Sequence, residues 1–268
     1  MRSCLRSAYF AAAICGAAFA AGSAVGANSD SIGADGQRPA PALCGVPAAF
    51  LRTPFTLAHM VEKLRRRQAV RIVAIGSSST YGTGASGPAA SYPSRLGAAL
   101  EALFPHVDVT VINHGVPGDT STGMIARFKR DAIDPRPDLI IWQTGTNMAL
   151  GGRDIERFTD DIRQGIVMAR TAGIDLLLMG PQFAPRFESV PNRLSYVQHL
   201  YAIATVKEVP LFPRYQIMKY WLESGQFTLG TMINADGLHL TDGAYACLGR
   251  LVARMIADME TGRAQAAR

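Results

Sequence analysis

Beyond its first 27 residues the chain lacks any apolar run of membrane-spanning length. The runs Leu139 to Trp142 and Leu176 to Met179 are strand-sized and bounded by Asp or Gly, against the roughly 20 residues a spanning helix needs. Cysteine is scarce: of the four encoded, Cys4 and Cys15 lie near the N-terminus, leaving one pair, Cys44 and Cys247. The five histidines, His59, His106, His114, His199 and His239, show no paired ligand spacing, so no metal site is expected. Low-complexity tracts and internal repeats are also missing. Nor does one sign of charge dominate, with 27 Lys and Arg against 21 Asp and Glu, a formal +6. The one basic cluster, Arg65-Arg66-Arg67 after Lys63, ends a predicted helix without interleaved aromatics, which argues against nucleic acid as a partner.

What is present begins with a leader. Arg2 and Arg6, an alanine-rich apolar run around Tyr9 to Ala21 and small residues beyond it have the three-part layout of a secretory signal peptide. Cleavage fits after Ala20 or after Ala27, and the second is preferred. The run is too short for a retained spanning helix, and Ile14 disfavours a lipid anchor on Cys15, where such sites carry a small residue before the cysteine. No stable membrane anchor is expected, and an exported, periplasmic or extracellular protein is. In an oxidising compartment Cys44 and Cys247 can bridge, tying the N-terminal extension to the last helix; the alternative is two separately buried thiols.

Residues 28–47, rich in Gly, Ala, Pro, Ser and Asp, read as a flexible linker. A folded domain follows over 48–262, with a short tail at 263–268. Within the domain strand and helix patterns alternate. Strands are predicted at Val70 to Ile75, Val107 to Ile112, Leu139 to Trp142, Ile174 to Met179 and Val209 to Phe212. Helices are predicted at Leu57 to Arg67, Pro93 to Phe104, Thr120 to Ala132, Ile155 to Thr171, Arg193 to Lys207 and Asp242 to Met259. Apolar strands each followed by a helix mean a parallel sheet in a three-layer α/β/α sandwich, with ligands at the carboxyl ends of the strands.

Four signals fall at those ends. Gly76-Ser77-Ser78-Ser79-Thr80 closes the first strand; on its own, such a serine is more often a turn or cap residue. Asn113-His114-Gly115-Val116-Pro117-Gly118-Asp119-Thr120 follows the second strand, where glycine lets a backbone N–H face a ligand. Gln143-Thr144-Gly145-Thr146-Asn147 follows the third and offers a side-chain amide. Asp236-Gly237-Leu238-His239 precedes the last helix, with acid and base three residues apart on one loop. His can take a proton from Ser while the carboxylate orients the ring, and acyl transfer needs N–H donors aimed at the developing oxyanion.

In this order the four stretches resemble the SGNH (GDSL-like) hydrolase family. The resemblance covers about Val70 to Met259 and includes Tyr92-Pro93, similar to the family's aromatic-Pro pair. It implies a flavodoxin-like strand order 2-1-3-4-5, Ser78 as nucleophile with His239 as base and Asp236 as its partner. It further implies an oxyanion hole of Ser78, Gly118 and Asn147, and ester hydrolysis without metal or cofactor. Ser77 stands where the family has Asp before the nucleophile, and Met148 where Asp usually follows the Asn; altered loop hydrogen bonding is expected there.

Two other motifs compete. Gly82-Thr83-Gly84-Ala85-Ser86-Gly87 has dinucleotide-fingerprint spacing but does not open a helix directly, and reads as a flexible rim loop. An α/β-hydrolase elbow would need Gly where Thr80 stands. The expected substrate is a small-molecule or carbohydrate acyl ester, handled by a monomer. Aromatic and apolar residues of two irregular stretches, Phe183 and Phe187 in Pro181 to Asn192, and Phe227, Leu229 and Met232 in Ser224 to Ala235, are expected to wall the pocket. An O-acyltransferase with the same triad and a non-catalytic glycan-binding protein remain alternatives.

Overall fold

The computed structural model describes residues 44–262. The expected leader (1–27), the linker up to residue 43 and the tail (263–268) lie outside the described residues.

Strand β1 (Val70–Gly76) is buried at every position except Arg71. A strand apolar on both faces needs cover on both, which favours parallel pairing with helical crossovers. β1 pairs in parallel with β2 (Val109–Gly115) on one side and β3 (Leu139–Gln143) on the other, with Gly76 opposite Gly115 and Ile75 opposite Trp142. β4 (Asp175–Met179) and the two-residue β5 (Leu211–Phe212) extend the sheet beyond β3, giving the order β2-β1-β3-β4-β5. This is the expected α/β arrangement.

The helices are α1 (Ala58–Arg65), α2 (Ser78–Tyr81), α3 (Tyr92–Leu103), α4 (Ser121–Phe128), α5 (Thr146–Leu150), α6 (Ile155–Thr171), α7 (Pro185–Glu188), α8 (Arg193–Val206), α9 (Arg214–Glu223), α10 (Leu229–Met232) and α11 (Asp242–Glu260). α11 packs on α1 and α3, whereas α6 packs on α4 and α8. Among the described residues no helix is long and apolar enough to cross a membrane.

Two boundaries differ from the sequence reading. β2 starts at Val109 and runs through the polar Asn113-His114-Gly115, because Val107 closes a turn onto Phe104 and the pairing with β1, not hydrophobicity, sets the strand's end. α4 stops at Phe128 and gives way to a π-helical turn over Lys129–Ile133. α9 has no counterpart in the sequence reading. Its buried stripe Arg214, Ile217, Met218, Trp221 has helical spacing, but an arginine occupies a core position and breaks the apolar pattern.

Cys44 and Cys247 form a disulfide with a Cα–Cα distance of 5.1 Å, fastening the start of the described chain to the buried face of α11.

Candidate active site

At the carboxyl end of β1 the chain turns at once into the single turn α2, with Ser78 as its first residue. Gln143, the last residue of β3, holds this turn. Its side-chain oxygen accepts from Ser77 N at 2.9 Å, Ser77 Oγ at 3.1 Å and Thr80 Oγ1 at 3.0 Å. Ser77 thus ties the turn to β3, while Met148 is buried in the core. The end of β2 lies hard against the same turn: a Cβ on Gly115 would fall 2.0 Å from Tyr81 N, so only glycine fits.

His239 arrives from the other end of the chain. Its Nε2 lies 2.8 Å from Ser78 Oγ, and its Nδ1 is hydrogen-bonded to Asp236 Oδ2. The loop's geometry follows from Asp236, whose Oδ1 accepts from Leu238 N at 2.9 Å and His239 N at 3.0 Å. Asn234 closes it: its amide donates to Leu240 O at 2.7 Å and to Gly84 O at 3.1 Å, linking the 82–87 rim. Burial pulls the Asp236 pKa up. Hydrogen bonds from the His239 ring and from the His239 and Leu238 amides outweigh it and leave the carboxyl below its ordinary value.

The facing wall is the Val116-Pro117-Gly118-Asp119 turn. Asp119 N donates to Val116 O at 3.1 Å, and Gly118 has φ +79°. With proline second and a positive φ third this is a type II turn, which leaves the Gly118 N–H without a partner among the described residues. The Ser78 N–H is likewise unpaired there. Asn147, on α5, donates one amide hydrogen to Asp119 O at 2.8 Å, which leaves its second for the cleft. Arg127 clamps the whole wall, donating to Asp119 Oδ2 at 2.8 Å, His114 O at 2.9 Å and Gly76 O at 3.0 Å.

Ser78, Gly118, Asn147 and His239 therefore line one cleft of about 430 Å³, and Asp236 stands behind His239. All five residues singled out in the sequence meet at one place. The expected aromatic wall does not: Phe187, Phe227 and Met232 are buried in the core, and Phe183 packs on Tyr215. Phe187 lies in α7 and Met232 in α10, where each is turned inward, while Leu229 is exposed and does not line the cleft. Arg153 and Arg186 line the cleft instead. A further arginine was not anticipated. Arg214 is fully buried and donates to Gly180 O at 2.8 Å, Ser79 Oγ at 2.9 Å and Gln182 Oε1 at 2.8 Å. Burial lowers its pKa to about 10, still high enough to remain charged at neutral pH.

Sheet order and loop placement are those of the SGNH class of α/β hydrolase folds. The chain belongs to the Non-GDSL lipase-like family, whose model it matches over residues 43–261; Ser77 in place of the Gly-Asp-Ser aspartate accords with that description. By sequence it is similar to Esterase TesA of Pseudomonas aeruginosa, 29% identical over 133 residues, 49% of this chain and 62% of that protein. It is also similar to an arylesterase of Vibrio mimicus, 28% identical over 166 residues, 61% of this chain and 77% of that one. An acetylxylan esterase of Geobacillus stearothermophilus is 22% identical over 143 residues, 50% of this chain and 62% of that protein. The chain thus spans just under two thirds of the length of TesA. Among solved structures, a two-domain esterase active on acetylated mannans superposes with a TM-score of 0.64 at 20% identity, covering 81% of this chain and 56% of that one. These superpositions bear on the fold.

Proposed function

We propose that the chain is an exported serine esterase that hydrolyses short-chain acyl esters, including O-acyl groups on carbohydrate, through an acyl-enzyme on Ser78. The observation that supports this most is the hydrogen-bonded line Ser78–His239–Asp236 opening onto the same cleft as the unpaired N–H groups of Ser78 and Gly118 and the Asn147 amide.

Ser78 Oγ attacks the ester carbonyl carbon while His239 Nε2 takes its proton. The carbonyl electrons move onto oxygen, which the Ser78 and Gly118 N–H groups and Asn147 Nδ2 stabilise as an oxyanion. Collapse breaks the bond to the alcohol, and His239 returns the proton to the departing oxygen. Water, deprotonated by His239, then opens the acyl-enzyme and releases the acid and Ser78. Asp236 holds the ring's tautomer and orientation and stabilises the imidazolium that forms as the proton is transferred. The Asp236 side chain is 41% exposed, so solvent reaches the neighbourhood of the base, which favours hydrolysis over acyl transfer. The acetylated-glycan activity named for two of the similar proteins supports a carbohydrate ester, and the disulfide is in keeping with export.

The test compares the purified protein with Ser78→Ala on short- and long-chain nitrophenyl esters. Turnover is expected to fall on the order of 10⁶-fold. Equal rates for both proteins would refute Ser78 as nucleophile, and activity confined to long acyl chains would refute the short-chain assignment.

A further inference from the structure

Both arginines lining the cleft, Arg153 and Arg186, are exposed and lack a carboxylate partner among the described residues. Acids nearby are already committed. Asp154, next to Arg153, caps α6 by accepting from Glu156 N at 3.1 Å, and Glu188, near Arg186, accepts from Arg193 at 2.9 Å and Tyr215 at 2.8 Å. Asp119 is held by Arg127. No Asp or Glu lines the cleft, and Asp236 behind it is engaged by His239, so the charge facing the ester is positive.

The two cations sit on different walls. Arg153 folds back over Gly151, just past α5, with its Nε 3.1 Å from where a Cβ on that glycine would lie. Arg186 belongs to the base's wall. Its N–H donates to Gly237 O at 3.0 Å, and its Cγ lies 3.4 Å from a Cβ position on Gly237, within the Asp236–His239 loop. The departing alcohol must lie beside His239 Nε2, because that nitrogen returns the proton to it. Arg186, whose aliphatic stem packs on that loop and which lines the cleft, therefore stands on the side of the alcohol part of the ester rather than the acyl part.

We infer that the cleft selects esters whose alcohol carries an anionic group, a carboxylate or a phosphate, held by Arg186 and Arg153. Exposed guanidinium groups bind either anion through paired N–H donors. This rests on the esterase reading above, and names the substrate class for it.

The test measures kcat/KM for an acetylated methyl glucuronide and an acetylated glucose 6-phosphate, each against acetylated methyl glucoside. The protein is compared with Arg153→Ala, Arg186→Ala and the double variant. The expected preference of the unaltered protein for an anion is on the order of 10-fold. It should shrink toward unity in the double variant and in high salt, which screens exposed charges. Arg66→Ala, which removes a cation paired with Glu62 after α1, should keep it. The anion preferred identifies carboxylate or phosphate. Equal kcat/KM for charged and neutral esters overturns the inference, as does a preference that survives the double substitution. A preference for succinylated over acetylated methyl glucoside overturns the alcohol-side assignment. Calorimetry with the Ser78→Ala protein supplies a readout without turnover: methyl glucuronide or glucose 6-phosphate should bind more tightly than methyl glucoside, and only while both arginines are present. If the Ser78→Ala and unaltered proteins act equally on every ester, hydrolysis fails as a reading while the binding comparison still decides the charge preference.

Discussion

Arg214 Nη1 donates a 2.9 Å hydrogen bond to Ser79 Oγ, the hydroxyl immediately after Ser78 in the chain. Arg214 is fully buried and no carboxylate pairs with it among the described residues. Its charge is met by neutral oxygens. One of them, Gln182 Oε1, also accepts from Thr146 Oγ1 at 2.9 Å, so this one side chain ties the α2 turn to the end of β4 and to α5. Arg214→Met fills the same space but leaves those acceptors without their donor. It is expected to cost roughly 2–4 kcal/mol, within the usual range for breaking a buried hydrogen-bonded charge network. Because the turn it steadies carries the proposed nucleophile, kcat should fall more than KM changes. Urea unfolding beside ester kinetics checks both; a loss of stability with kcat intact would make Arg214 purely structural.

Asn147 divides its amide hydrogens, one to Asp119 O at 2.8 Å and one left for the cleft. Asn147→Ala removes a proposed oxyanion donor and a loop tie together. Loss of one such donor typically lowers kcat by about 10²–10³-fold. The tie adds about 1 kcal/mol of lost stability. A kcat within a few-fold of the unaltered enzyme would place the oxyanion elsewhere.

The loops bearing Ser78, Gly118, Asn147, Asp236 and His239 were legible from apolar periodicity, as ends of strands or the approach to the last helix; the choice of Ser78 among three serines and of Gly118 over Gly115 came from the resemblance to the SGNH family. The parallel sheet then brings those loops to one edge. The disulfide partners were legible once Cys4 and Cys15 were set aside with the expected leader, though only expected export favoured pairing over separate burial. Arg127, Gln143 and Arg214 were not, because what they do depends on partners far along the chain. Arg214 meets Ser79 across 135 residues, a relation with no local spacing to betray it. Phe187 and Phe227 misled for the opposite reason. They stand in stretches that look like loops, yet the short helix α7 turns Phe187 into the core and Phe227 packs on the buried Trp221. Once they are withdrawn, the cleft's polar wall, and with it the two arginines, comes into view.

The Cys44–Cys247 bond closes a span of 203 residues, nearly the whole domain. In the chain-entropy account a loop this long restricts the unfolded state by roughly 5 kcal/mol. Cys247→Ser, or reduction before unfolding, should therefore lower stability by several kcal/mol. Arg250, whose Nη2 lies 2.7 Å from Cys44 Sγ, stays in place to hold the segment. Calorimetric melting with and without reductant is the measurement, and coincident melts would show that the bridge contributes nothing to the folded state's advantage.

Asp131 supplies a pH signature separate from the catalytic groups. The hydrogen bond from Arg130 is the largest influence and lowers its pKa; burial opposes it and Arg127 reinforces it, for a value of about 2. A folded pKa below the ordinary carboxylate value means the unfolded chain binds protons first as the solution is acidified. The stabilisation from this carboxylate is thus fully present above about pH 4 and is lost as the pH falls toward 2. Because Arg130 is 75% exposed, solvent screening holds the effect to about 1 kcal/mol. Asp131→Asn should melt at a lower temperature than the unaltered protein at pH 6, with the gap narrowing steadily below pH 4. Since Arg127 also clamps Asp119 and Gly76 O, the same substitution should loosen the wall bearing Gly118 and reduce kcat by a few-fold at neutral pH. A gap in melting temperature that stays constant down to pH 2 would mean that the carboxylate's charge is not what stabilises this corner of the site.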